Sequence, residues 1–158
     1  MILETFSQLN LDTRALVVAT LISPIIPTVL TIVFFIIKNR FEKRKLIEER
    51  LFHIQQISFE YPYLEDEEFI NTWDDFVNKS ERINNKEKYL RYEQYCEMIF
   101  NLLELTYQYF GANKINSLID FKSWVRIHEK WWRNPLDRYS NRDTYSKKVI
   151  EMIDDWIG

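Results

Sequence analysis

The residues that cross-link chains and those that break helices are scarce in this sequence. Cys96 is its only cysteine, which excludes an internal disulfide and the zinc frameworks built from several thiolates; a reducing compartment fits. Glycine occurs only at Gly111 and Gly158, and there is neither a Gly-rich phosphate loop nor a Walker-type lysine. No stretch alternates with the period of two that marks a strand, and there is no internal repeat or low-complexity tract. The formal net charge of -3 gives no field of one sign that would draw nucleic acid or an acidic substrate. These absences leave an all-α fold, and the 158 residues suffice for one compact helical domain beside an anchor.

What the chain does have is one long apolar run. From Ala15 to Ile37 it reads ALVVATLISPIIPTVLTIVFFII with no charged residue, a length that matches the roughly 20 residues needed to cross a bilayer core. A cleaved signal peptide would have a shorter apolar region and basic leading residues, whereas Glu4 and Asp12 precede this run. A transmembrane helix over 15–37 is therefore expected. Pro24 and Pro27 lack backbone N–H groups, which predicts a kink between residues 23 and 27; it reads either as a packing notch for a second helix or as the ordinary tolerance of membrane helices for proline. Ahead of the span, Ile2, Leu3, Phe6 and Leu9 recur at helical spacing and suit an interfacial segment at 1–14.

Directly after the run come Lys38, Arg40, Lys43, Arg44, Lys45 and Arg50, against Glu42, Glu48 and Glu49. Such flanking cations stay on the cytoplasmic side, so the expected topology is N-terminus outside and the bulk of the chain cytoplasmic. Lys38, Arg40, Lys43, Arg44 and Lys45 also form a lipid-facing collar that would attract anionic head groups. No Pro or Gly interrupts 38–60, which predicts a basic juxtamembrane helix ending before Tyr61-Pro62.

A helical domain is expected over 61–158, as a small antiparallel bundle. Phe69, Ile70, Trp73, Phe76 and Val77 share one helical face. Ser80 to Lys86 reads as a loop. From about Glu87 to Phe110, Tyr92, Cys96, Ile99, Leu103, Thr106 and Phe110 recur at alternating spacings of four and three, and Gly111 stops the helix. Ser117 and Asp120 have the chemistry of a capping box for a helix ending before Pro135, with Phe121, Trp124, Val125, Trp131 and Trp132 inward. The last helix, from about Asp143, turns Tyr145, Val149, Met152, Ile153 and Trp156 inward.

Candidates for chemistry are few. His53 and His128 are the only histidines, each near carboxylates: Glu49 lies four residues before His53, and Glu129 follows His128. Helical bundles hold paired metals through Glu residues and Glu-x-x-His motifs, but no Glu-x-x-His occurs, so no metal or other cofactor is expected. His128 falls on the tryptophan face, where it is either a titrating group or a hydrogen-bonded core residue, and nothing at suitable spacing completes a catalytic set. Cys96, within an apolar stripe, reads as packing. The basic residues near Trp124, Trp131 and Trp132 fall mostly on the opposite helical face, which argues against stacked nucleic-acid bases. Tyr61, Tyr63, Glu65 and Asp66 gather an aromatic turn and an acidic patch, either a partner surface or simply a turn and a helix start.

The anchor, the collar, the FEYPYL turn, the YEQYCEMIFNLLELTY helix and FKSWVRIHEKWWRNPL together resemble a group of uncharacterised bacterial membrane-anchored helical proteins. In that group a Tyr- and Pro-containing segment precedes a Leu-rich helix and a Trp-containing helix closed by proline. The resemblance implies no catalytic residues; some similarly built proteins are linked to phage defence by abortive infection. The expected function is a membrane-anchored, non-enzymatic interaction module, scaffold or accessory subunit, whose partners are the lipid bilayer and an unidentified protein or a second copy of the chain. The alternatives are a membrane-acting effector, as in phage defence, and a cryptic metal protein or enzyme using His53, His128 and nearby carboxylates.

Overall fold

The computed structural model describes residues 13, 16, 20, 23–79, 86–137 and 140–158, with residues 79, 118, 140 and 142 described in backbone only. Among these residues the chain is all-helical, without a strand. It divides into two compact units, Met1–Arg44 and Lys45–Gly158. The expected interfacial segment at 1–14, apart from Thr13, lies outside the described residues, as do residues 80–85 of the expected loop.

Helix α1 runs over Ile25–Glu60. Within the first unit its apolar side chains are exposed: Ile25, Ile26, Val29, Leu30, Ile32, Val33 and the run from Phe34 to Ile37. No helix among the described residues is long and apolar enough to cross a membrane, because α1 begins at Ile25 and soon reaches Lys38, Arg40 and Glu42. Much of the expected span before Ser23 lies outside the described residues. Pro24 stands in the turn before α1 and Pro27 in its first turn, where a missing N–H leaves no intrahelical bond unmade. The hydroxyls of Thr28 and Thr31 donate to the carbonyls of Pro24 (2.7 Å) and Pro27 (2.8 Å).

In the second unit α1 is amphipathic: Ile47 and Ile54 are buried, and Leu51 and Ile57 pack against the same core at helical spacing. Proline disfavours helical backbone in the residue before it, and α1 accordingly ends at Glu60, ahead of Tyr61-Pro62. Pro62–Glu65 forms a 3-10 turn that buries Leu64. The Asp66 carboxylate then caps α2 (Glu67–Asn71) by accepting from the Glu68 N–H at 3.2 Å. The predicted single helix here is in fact two, parted at Thr72. The Thr72 hydroxyl donates to the Phe69 carbonyl at 2.6 Å and also meets the Tyr89 hydroxyl at 2.8 Å. Helix α3 (Trp73–Lys79) follows, its Trp73 indole donating to the Asn134 carbonyl at 2.9 Å.

Helix α4 (Lys86–Phe110) is the axis of the unit. Tyr92, Cys96, Ile99, Leu103 and Thr106 are buried as their spacing predicts, but Tyr89, Glu93, Tyr95, Phe100 and Leu102 are buried too, so neighbours cover more than one stripe. Gly111 ends α4 with φ of +73°, a conformation that favours glycine. Next come α5 (Ala112–Leu118), α6 (Phe121–Ile127) and α7 (Glu129–Arg133). The predicted helix from Ser117 to Pro135 is therefore corrected in two places. Its cap is Asp120, whose carboxylate accepts from the Ser123 N–H (3.2 Å) and hydroxyl (2.7 Å), while the Ser117 hydroxyl turns back to the Lys114 carbonyl. It also breaks at His128 (φ -100°, ψ 21°). Helices α8 (Ser140–Thr144) and α9 (Lys147–Ile157) complete the bundle, and α9 buries Val149 and Ile153.

Aromatic rings fill much of the core. Phe100 stacks on Trp132 and tilts against Trp131, each 5.0 Å away, and Phe76 lies flat on Tyr89 at 4.2 Å. Ile99 is fully buried on α4, whereas Phe59, on α1, is 84% exposed. Ile99→Val is expected to destabilise the domain by about 1 kcal/mol, and Phe59→Ala to change it by less than about 0.5 kcal/mol. Urea unfolding of the two variants tests this assignment of inside and outside.

Candidate functional site

The polar residues of the second unit converge where the 3-10 turn meets α4 and the α6–α7 break. His128 is fully buried at that break. Its Nδ1 lies 3.0 Å from the Tyr92 hydroxyl of α4, and its Nε2 lies 3.7 Å from Glu65 Oε2, too far for a hydrogen bond. Nε2 has no hydrogen-bond partner. The arrangement is consistent if the Tyr92 hydroxyl donates to Nδ1 and the proton on Nε2 faces the carboxylate. Glu65 closes the chain from the other side, its Oε1 accepting from the Tyr95 hydroxyl.

These contacts set the charge of the site. Burial alone would raise the Glu65 carboxyl, but the His128 ring and the Tyr95 hydroxyl outweigh it and hold the group below its ordinary value. Glu65 is thus a carboxylate at neutral pH. Burial raises the Tyr92 and Tyr95 phenols, which remain protonated donors. Burial likewise pushes the Cys96 thiol well up, and its side chain lies wholly within the core.

One residue along α4 from Tyr92, Glu93 makes a second buried polar bond. It accepts from the Trp131 indole N–H at 2.6 Å. Burial raises its carboxyl to about 7, against the lowering effect of that indole. The sequence does hint at this burial, since Glu93 stands four residues after Tyr89 and three before Cys96, on the edge of the apolar stripe.

The other residues singled out in the sequence are placed as follows. Tyr61 and Tyr63 are half-buried against α4: the Arg91 guanidinium lies 4.0 Å over the Tyr61 ring and donates to the Tyr63 hydroxyl at 3.0 Å. Asp66 is exposed and serves as the α2 cap. His53 is exposed beside a cleft of about 400 Å³ that is also lined by Glu49, Met98 and Asn101, apart from the buried His128 chain. Lys38, Arg40, Arg44 and Lys45 are exposed and Lys43 is half-buried. Lys38 pairs with Glu42 at 3.8 Å and Lys45 with Glu49 at 3.5 Å, exposed pairs of small energetic weight. Among the described residues, no three His, Cys, Asp or Glu side chains gather where a metal would sit.

No protein-family model, no curated protein and no solved structure matches the chain.

The buried bonds on α4 yield two expectations. Tyr92→Phe removes the partner of His128 Nδ1 and should cost about 1–3 kcal/mol in urea unfolding. Between pH 4.5, where a free Glu ionises, and about 7, where folded Glu93 does, the folded chain holds a proton that the unfolded chain has lost. Glu93 therefore makes stability fall as pH rises through that window. Thermal unfolding of Glu93→Gln should show a shallower fall than the parent and a higher midpoint above pH 7; identical profiles would remove Glu93 as the cause.

Proposed function

We propose that this chain is a membrane-anchored, non-enzymatic interaction module. Residues 15–37 form the anchor, the N-terminus lies outside, and the helical domain meets a protein partner on the cytoplasmic face. The observation that carries the reading is the exposure of apolar side chains all around α1 from Ile25 to Ile37, set against the burial of apolar side chains in the second unit. A helix that is apolar on every face needs an apolar surrounding. Completing a span requires residues ahead of Ile25, where the sequence from Ala15 is uncharged. The basic residues from Lys38 to Lys45 support the orientation and a contact with anionic lipid.

The interaction reading is supported by the character of the buried polar residues. His128 and Cys96 are closed off from solvent, and His128, Tyr92 and Glu65 hold helices together without a nucleophile at hand. Likeness to the membrane-anchored helical group belongs to the same proposal.

On this reading the full-length protein stays with the membrane pellet after alkaline carbonate extraction, and a chain beginning at Lys38 is released. Affinity purification in mild detergent, read by mass spectrometry, should return a specific protein partner with the full-length bait. Release of the full-length chain by carbonate would refute the anchor. Recovery of the bait alone across several conditions would refute the heterologous partner and favour self-association.

A further inference from the structure

On the side of α1 away from buried Ile47 and Ile54, three large rings stand in the open: Phe41, Phe52 and Phe59 are 68%, 60% and 84% exposed. They are 11 and 7 residues apart, 18 in all, which is five turns at 3.6 residues per turn, so the rings share one line along the helix. Lys45, Glu48 and Gln55 fall on the same line and complete an alternation of four and three, at 41, 45, 48, 52, 55 and 59. That spacing is the seam of a coiled coil, with Lys45, Phe52 and Phe59 at position a and Phe41, Glu48 and Gln55 at position d. All six residues are exposed, as are Glu42, Glu49 and Gln56 at the flanking position e.

We infer that this face pairs with the same face of a second copy of the chain, parallel and in register. Around Phe52 and Phe59 the exposed side chains on the seam and at its e flank are Glu48, Glu49, Gln55 and Gln56, none of them a cation, which does not suit an anionic bilayer surface. The charges are self-complementary instead. In a parallel pair Arg44, at position g, comes opposite Glu49 at position e of the other copy. Lys45 and Glu48 occupy successive layers of opposite sign, so the stem of each Lys45 extends along the seam to the other copy's Glu48. Such polar layers weaken a seam and fix its register. Two anchors in one membrane hold the copies together, which offsets that weakness, and an antiparallel pair would put the anchors at opposite ends. The inference goes beyond the interaction module and rests on it for the anchor alone.

The test is disulfide trapping of the full-length protein in native membranes. Cys96 is buried, so the parent chain serves as the blank. Gln55→Cys puts a thiol at position d, where facing Cα atoms of a parallel pair come within about 6 Å, as a disulfide requires. Arg50→Cys puts one on another side of α1. Copper phenanthroline should convert Gln55→Cys to a dimer that dithiothreitol reverses, and leave Arg50→Cys and the parent monomeric. Adding Phe52→Ser and Phe59→Ser to Gln55→Cys should cut the dimer about fivefold. Adding Arg44→Glu should also lower it, and Glu49→Arg on top of that should restore it. Both rings lie outside the core, so urea unfolding of the dilute chain should not change with the two serines. Equal trapping of Arg50→Cys, no trapping of Gln55→Cys, or indifference to the two serines would overturn the seam. An untrapped Gln55→Cys thiol that anionic vesicles shield from a water-soluble maleimide would give the face to lipid instead. A heterologous partner captured without trapping sinks the seam and keeps the module, whereas trapping with the bait recovered alone keeps the seam and sinks that partner.

Discussion

The helical domain depends on a constraint that begins with two adjacent residues of α4. Tyr92 and Glu93 are both buried, and each must find a polar partner or incur the cost of an unmet hydrogen bond. Tyr92 finds His128, and Glu93 finds the Trp131 indole three residues further along the facing segment. Two bonds from consecutive positions on one helix to positions three apart on another leave little freedom of register between α4 and α6–α7. Apolar packing alone would tolerate sliding; paired buried donors and acceptors do not.

The same network reaches the surface at one residue. Glu65 ends the 3-10 turn, accepts from Tyr95 of α4 and faces His128 at the helix break. The turn is held from its other end as well, by Arg91 against Tyr61 and Tyr63. Pro62 gives the turn its start, and buried Leu64 pins its middle. The 3-10 turn carrying Glu65 thus stands on a backbone fixed at several points.

Much of this fold can be read from the sequence, because period and punctuation agree. The apolar residues of α4 recur at helical spacing, Gly111 ends that helix, and Tyr61-Pro62 ends α1. Two of the misread helices have a shared cause. Around Thr72 and His128 the apolar pattern continues across a local break, so periodicity sees one helix where a side-chain hydrogen bond or a shift in ψ makes two. Nor did spacing distinguish Ser117 from Asp120 as the cap, since both are good cap residues and only the fold decides which backbone N–H is in reach. The site was less legible. Glu65 reads as surface acid next to an aromatic turn, and its inward partners, Tyr95 and His128, lie 30 and 63 residues away along the chain. Long-range pairing of that kind leaves no local signature.

Helix α1 offers the clearest contrast within one element. From Ile25 to Ile37 it is apolar on all faces and exposed on all of them; from Ile47 to Ile57 it has one apolar stripe, and that stripe is buried. A stripe is what a helix needs when water lies on one side and a core on the other, and an all-round apolar surface is what it needs when no side meets water. The change falls where Lys38, Arg40, Lys43, Arg44 and Lys45 enter the sequence. In the proposed membrane setting these cations mark the depth at which the helix leaves hydrocarbon, because their long stems can lie along apolar surface while their heads reach the phosphate level. A cytosolic setting for the whole chain would instead leave the exposed isoleucines, valines and phenylalanines of α1 as an aggregation-prone patch.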